Sequence, residues 1–235
     1  MGESGEEKDE PFKVRDIGLI FSSKGFWLVA LLCVLYYSAI FPFQKFANLM
    51  LQSNLQYTAE QASWVFFVFP LGAAAITPFL GNFLDKRGKG ATMLILGAIL
   101  MIVCHLTFAL ILPMEMAQGL KVCIAYTAII LLGISFSLVP ASLWPSVPKL
   151  IDNKVLGSAY ALIFWIQNIG LYAFPMIIGS VLKSSNPGIT VPTEYNFTNP
   201  MLVFASLGVL ALIFGFWLKV VDKQKGYGLE LPNIK

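Results

Sequence analysis

The stretch GNFLDKRGKG, residues 81–90, places one aspartate and three basic residues between two long apolar runs. The whole chain is 57% hydrophobic and 12% charged, whereas a soluble domain contains about 25% charged residues. Charged side chains are costly inside a bilayer, so these four must lie at its surface. The sequence therefore predicts a membrane protein in which residues 81–90 form a loop between two membrane-spanning segments.

Six apolar runs are long enough to cross about 30 Å of hydrocarbon as helices that rise about 1.5 Å per residue. They span about residues 26–49, 64–84, 91–112, 122–144, 157–182 and 201–221. A transmembrane barrel would instead show alternating segments of about ten residues. We therefore predict an all-α membrane protein, with a six-helix transmembrane bundle over residues 26–221 and a tail over residues 222–235.

The basic residues are divided unequally between the two sides of these spans. Thirteen of the sixteen Lys and Arg residues flank the runs on one side, and only Lys45, Lys121 and Lys183 flank them on the other. Basic residues in short loops stay preferentially on the cytoplasmic side. We therefore expect a multi-pass protein whose two termini and 81–90 loop are cytoplasmic.

The loop over residues 184–200 carries a candidate modification site. In the expected orientation this loop lies on the non-cytoplasmic side, and it contains the sequon N-F-T at Asn196. Asn196 is therefore a glycosylation candidate if the protein comes from a eukaryote. The alternative is an unmodified asparagine, because sequons of this kind are common by chance.

The 81–90 loop resembles the G-x-x-x-D-[RK]-x-G-[RK] signature of the major facilitator superfamily. The motif residues are Gly81, Asp85, Lys86, Gly88 and Lys89, with Arg87 between them. In that superfamily the motif joins the second and third helices of each six-helix half, which is its place here. The resemblance implies a gating motif, in which the aspartate accepts hydrogen bonds at a helix N-terminus and the first glycine permits close helix approach. The alternative is a positively charged turn with no part in gating.

Members of the superfamily have about twelve spans in two similar halves, so the resemblance implies that this chain is the C-terminal half of such a fold. Residues 1–25 then resemble the cytoplasmic linker and short lateral helix that precede this half. A narrower resemblance, carried by stretches such as YYSAIFPFQKFAN, SLWPSVPKL and LGSAYALIFWIQNIGL, points to lysosomal dipeptide uniporters of the superfamily.

That resemblance implies transport of dipeptides or amino-acid-like solutes by alternating access. The implied partners are an N-terminal six-helix half, the lipid bilayer and a glycosylated accessory subunit. The implied location is the lysosomal membrane in a eukaryote, and otherwise a plasma or inner membrane.

Polar and aromatic side chains recur at helical spacing in the first and fifth spans. The candidate substrate-binding residues are Tyr36, Tyr37, Phe41, Gln44, Lys45, Tyr160, Phe164, Gln167 and Asn168. Polar groups in apolar spans often mark functional sites, but they also hydrogen-bond neighbouring helices. Their place in a cavity follows from the resemblance, in which the first, second, fourth and fifth helices of a half line the cavity. Lys45 would then either meet a carboxylate or extend to the membrane interface.

No Asp or Glu lies in the interior of a predicted span, and His105 is the only histidine. A proton-coupled cycle usually needs a buried group that changes charge. The resemblance makes the third span peripheral, so we expect His105 to be neutral and bonded to a neighbouring helix. Uniport is therefore favoured over proton coupling. An enzyme, a metal site and a cofactor site are not expected, because the spans lack a nucleophile–base pair or a ligand cluster. A non-transporting membrane scaffold or receptor is the alternative function.

Overall fold

The computed structural model describes residues 14–234, and every regular element within them is helical. The long helices are α2 Lys24–Leu55, α3 Ala59–Arg87, α4 Gly90–Leu106, α5 Gln118–Leu150, α6 Leu156–Ser185 and α7 Thr198–Lys225. A short helix, α1 Val14–Ser22, precedes them, and α4 continues as a π-helical turn, Thr107–Ile111. Two 3-10 turns, Asn153–Val155 and Pro192–Glu194, lie in the connections. The linker expected before the bundle lies partly outside the described residues, because residues 1–13 precede them.

Helices α2 to α7 are each long and apolar enough to cross a membrane, which confirms the predicted six-helix bundle. Most of them begin and end several residues beyond the apolar runs. The run marks only the part that suits hydrocarbon, whereas capping groups decide where the helical hydrogen bonds stop. At the start of α2, Ser23 Oγ accepts a hydrogen bond from the Phe26 N–H at 3.3 Å. At the start of α3, Thr58 and Gln61 form a capping box.

Helix α2 lies at the centre of the bundle. It packs against α6, α7, α5 and α3, and 72% of its apolar window is buried. Helix α4 packs against both α5 and α7, and α3 packs along α5. Helices α3 and α6 are the least enclosed, with 17% and 22% of their windows buried. Helices α5 and α6 make little contact with each other, although both pack against α2; we call the region between α5 and α6, with α2 as its base, the groove.

Two glycines permit close helix crossings in this bundle. A Cβ on Gly170 of α6 would lie 2.5 Å from Ser38 Oγ and 2.8 Å from Val34 Cγ1, both on α2. A Cβ on Gly208 of α7 would lie 2.7 Å from Ile102 Cγ1 on α4. These distances are shorter than van der Waals contact, so the α2–α6 and α4–α7 crossings both depend on a residue without a side chain.

Gly170→Leu is expected to destabilise the bundle by about 1–3 kcal/mol, because the added side chain overpacks the α2–α6 crossing. Gly179→Leu is the matched control on the same helix, since a Cβ there would meet nothing within 4 Å. The measurement is the apparent melting temperature of the detergent-solubilised chain. Equal melting temperatures for the two variants would contradict this account of the crossing.

Candidate functional site

Aromatic side chains from three helices meet where α2 faces the groove between α5 and α6. The indole Nε1 of Trp144 on α5 donates a hydrogen bond to Tyr37 Oη on α2 at 3.1 Å. The Trp144 ring stacks on Phe164 of α6 with a centroid separation of 4.8 Å. Phe41 stacks on Tyr37 at 5.4 Å. We call Tyr37, Phe41, Trp144, Tyr160 and Phe164 the aromatic cluster, and it bridges α5 and α6 across the groove.

The link between Trp144 and α6 also involves the backbone of α5. Pro148 has no N–H, so the carbonyl of Trp144, four residues earlier, loses its helical hydrogen-bond donor. Tyr160 Oη on α6 donates a hydrogen bond to that carbonyl at 3.2 Å. The side chain of Tyr160 therefore satisfies a backbone group that the proline leaves free. This pairing explains why Tyr160 lies against the last turns of α5.

Two of the nine candidate residues lie at helix–helix contacts, away from the groove. Tyr36 is fully buried, and its hydroxyl donates a hydrogen bond to the backbone carbonyl of Leu94 on α4. Gln167 is 7% exposed, and its Oε1 accepts a hydrogen bond from Cys33 Sγ on α2 at 3.1 Å. Both are hydrogen bonds between helices, which is the alternative to substrate binding that the sequence left open for these residues.

The remaining candidates lie further along the same two helices. Gln44 is half-buried, whereas Lys45 and Asn168 are exposed. The amide Nδ2 of Asn168 donates to the Phe164 carbonyl on its own helix at 2.8 Å. Asn48, one turn beyond Gln44 on α2, instead donates to Ser63 Oγ on α3 at 2.7 Å. The polar side chains of α2 therefore contact different neighbouring helices.

Trp144 is the functional candidate that the sequence reasoning left out of its site. It has more aromatic partners in the groove than any residue selected from the first and fifth spans. Two signals were available: a tryptophan in an apolar span, and its place four residues before Pro148 in SLWPSVPKL. Neither signal shows which neighbouring helix the ring meets.

The 81–90 loop forms a tight turn at the end of α3. Gly88 and Lys89 adopt positive φ angles of 73° and 72°, a region that glycine occupies without strain. Asp85 Oδ1 accepts a hydrogen bond from Asn233 Nδ2 at 3.0 Å, and not from a helix N-terminus among the described residues. A Cβ on Gly81 would meet nothing within 4 Å, so the close helix approach expected there is not made among residues 14–234. The basic side chains Lys86, Arg87 and Lys89 are exposed.

His105 is buried in α4 between two aromatic rings, away from the groove. Its ring centroid lies 5.1 Å from that of Phe43 and 5.3 Å from that of Phe204. Neither ring nitrogen has a hydrogen-bond partner among the described residues. The expected bond to a neighbouring helix is therefore replaced by aromatic packing, which suits a neutral imidazole.

Asn196 lies in the connection between α6 and α7 with its side chain exposed. Its N–H donates to Asn186 Oδ1 at 2.7 Å, and its own Oδ1 accepts from the Thr198 N–H at 2.7 Å. The local turn is held by the backbone and by the amide oxygen. The Nδ2 atom, which N-glycosylation modifies, is not used in these bonds.

The contact between Trp144 and Tyr37 is tested by a double-mutant cycle of Tyr37→Phe and Trp144→Phe. The first change removes the acceptor and the second removes the donor, so we expect a coupling of about 0.5–1.5 kcal/mol. The measurement is the unfolding free energy of the detergent-solubilised chain. A cycle of Tyr37→Phe with Trp217→Phe is the control, because Trp217 on α7 is 54% exposed. A coupling energy between Tyr37 and Trp144 that is no larger than the one between Tyr37 and Trp217 would contradict the hydrogen bond.

Comparison with known proteins assigns the family. The family model of the Major Facilitator Superfamily matches residues 26–230 of this chain. The chain is 31% identical over 160 residues to the lysosomal dipeptide transporter MFSD1 of Danio rerio, and 31% identical over 158 residues to that of Homo sapiens. These alignments cover 68% and 67% of this chain and 32% of each relative, so the chain spans about one third of the length of the curated relatives it matches. The six-helix bundle, the loop motif and these matches show that the chain belongs to the Major Facilitator Superfamily.

Proposed function

We propose that this chain forms one half of a transporter that moves dipeptides or similar amino-acid-like solutes by alternating access. The observation that carries the proposal is the aromatic cluster, which joins α2, α5 and α6 along one groove. The relatives are named lysosomal dipeptide transporters, which supports this class of substrate. A non-transporting scaffold or receptor with the same architecture is the competing outcome.

The chemistry of the groove suits a small zwitterion with an apolar side chain. Aromatic faces such as those of Phe41 and Phe164 pack apolar groups, and amides such as Gln44 and Asn168 bind peptide N–H and C=O groups. Lys45 is exposed in the C-terminal half of α2, where its ammonium group is available to a solute carboxylate.

No carboxylate among the described residues lies in the middle of a long helix, since Glu60, Asp85 and Asp222 are in first or last turns. This distribution favours uniport.

The principal partner in this proposal is a second six-helix bundle that covers α3 and α6. Helix α6 borders the groove and α3 packs along α5, and both expose large side chains, including Trp64, Phe79, Trp165 and Tyr172. Lipid alone would leave the groove open on one side, and alternating access requires two bundles that move around a central site. The relatives are about three times as long as the aligned region, which leaves room for such a bundle. A glycosylated accessory subunit is a further proposed partner.

Uptake of labelled dipeptide into proteoliposomes that contain this chain with its partner bundle tests the function. Trp144→Ala is expected to reduce the initial rate at least tenfold, because it removes the bridge between α5 and α6 and the main aromatic surface of the groove. Trp217→Ala, on the exposed side of α7, is the control and should keep the wild-type rate. Absence of uptake by the wild-type protein would instead favour the scaffold.

We also propose that both termini and the 81–90 loop are cytoplasmic, and that the protein resides in the lysosomal membrane if the cell is eukaryotic. In a Cys123→Ser background, a membrane-impermeant maleimide should label Lys86→Cys and Lys225→Cys from the cytoplasm and Glu194→Cys only from the other side. Cys123 is replaced because it is exposed. Use of the sequon would add a glycan that Asn196→Gln removes. Labelling of positions 86 and 225 from opposite sides would refute this topology.

A further inference from the structure

The segment that follows α7 folds back against the 81–90 loop. Residues 226–234, which we call the strap, begin with Gly226 and Gly228 at φ angles of 69° and 78°. These left-handed conformations turn the chain back towards α3. Within the strap, Leu229 is 1% exposed and Leu231 is 64% exposed. Tyr227 is half-buried and packs against the same core as Leu229, so the strap has two apolar contacts with the bundle beside its polar ones.

The strap pairs with the backbone of the loop. The N–H groups of Lys89 and Gly90 donate to the carbonyls of Glu230 and Leu229 at 3.1 and 3.0 Å. A Cβ on Gly90 would lie 2.9 Å from the Leu229 carbonyl oxygen. The glycine at this position is therefore required for the strap to lie this close to the start of α4.

The strap is hydrogen-bonded to three different helices. Asn233 Nδ2 donates to Asp85 Oδ1 of α3 at 3.0 Å. The Glu230 carboxylate accepts from the Thr92 N–H of α4 at 2.8 Å, a favourable place for a negative charge near a helix N-terminus. Lys149 Nζ at the end of α5 donates to the Leu231 carbonyl at 2.9 Å. The strap thus bonds to one oxygen of the loop-motif carboxylate and ties α3, α4 and α5 together.

The hydrogen bonds that hold the strap can break and re-form without unfolding the bundle. The Asn233–Asp85 and Lys149–Leu231 bonds are exposed, and polar bonds at an exposed surface exchange with bonds to water at small net cost. Elements that bury few apolar side chains, here Leu229 and Tyr227, lie at the low-stability end of a fold. We propose that the strap is a releasable element that competes with the second six-helix bundle for Asp85. When docked, it fixes the loop and bonds to Oδ1 of the Asp85 carboxylate. When released, it frees Asp85 to accept hydrogen bonds from a helix N-terminus of that bundle. The competing partner is the second six-helix bundle, so this inference rests on the proposed function.

Hydrogen–deuterium exchange on this chain alone, in detergent or nanodiscs, tests whether the strap docks. Gly90→Ala should accelerate exchange in residues 88–92 and 226–234 at least tenfold, because the new Cβ displaces the strap. Glu230→Gln should accelerate it in the same segments to a smaller extent. Gly119→Ala is the control, since Gly119 also lies in the first turn of a helix and a Cβ there would meet nothing within 4 Å. Unchanged exchange in α2 checks folding. If neither variant accelerates exchange, the docked strap is refuted.

The competition is tested by comparing exchange of the strap in this chain alone and in the protein that also contains the second bundle. We expect faster exchange of residues 226–234 when the bundle is present. Asp85→Asn should restore the slower exchange, because its amide oxygen still accepts from Asn233 while the charge that a helix N-terminus favours is lost. Equal exchange with and without the bundle would overturn the competition. Neither exchange experiment measures transport. If the uptake assay refutes the transport proposal, the result on strap docking still stands. If exchange refutes the docked strap, the transport proposal still stands.

Discussion

The groove depends on one backbone carbonyl that its own helix cannot satisfy. In hydrocarbon, every backbone donor and acceptor must find a partner within the protein. Helix α5 contains Pro140, Pro145 and Pro148, and Pro148 removes the donor that the carbonyl of Trp144 would otherwise receive. Tyr160 supplies the missing hydrogen bond from α6. Since α5 and α6 otherwise make little contact, this bond and the stacking of Trp144 on Phe164 determine how the two helices lie across the groove.

The apolar runs were sufficient to predict the helices, because the requirement that backbone groups be satisfied leaves few other structures for such a length in a bilayer. They were insufficient to predict the direction of each polar side chain. Tyr36 and Tyr37 are adjacent, yet one donates to Leu94 on α4 and the other accepts from Trp144 on α5. Helical periodicity places two residues on different faces, but the neighbour of each face is set by the packing of helices distant in sequence. Gln167 was selected from its spacing and is instead held by Cys33.

The loop motif shows the same division between local and long-range information. Its glycines and charges predicted a turn at the membrane surface, and the turn forms with Gly88 at a positive φ angle of 73°. The partner of Asp85 was expected on a helix N-terminus, but within this chain it is Asn233, which is separated from Asp85 by 148 residues in the sequence. A polar residue in a tail carries no periodic signal, so a contact of this kind is visible only in three dimensions.

The last turns of α5 connect the groove to the strap. Trp144 and Lys149 are five residues apart, or about 7.5 Å along a helix, and they contact the aromatic cluster and the Leu231 carbonyl respectively. Pro145 and Pro148 lie between them and weaken the hydrogen-bond ladder of that segment. A bend in this segment therefore changes the position of the Trp144 ring and of the Lys149 ammonium group together. The groove and the strap are thereby mechanically linked through α5, because the same two turns of helix carry both contacts.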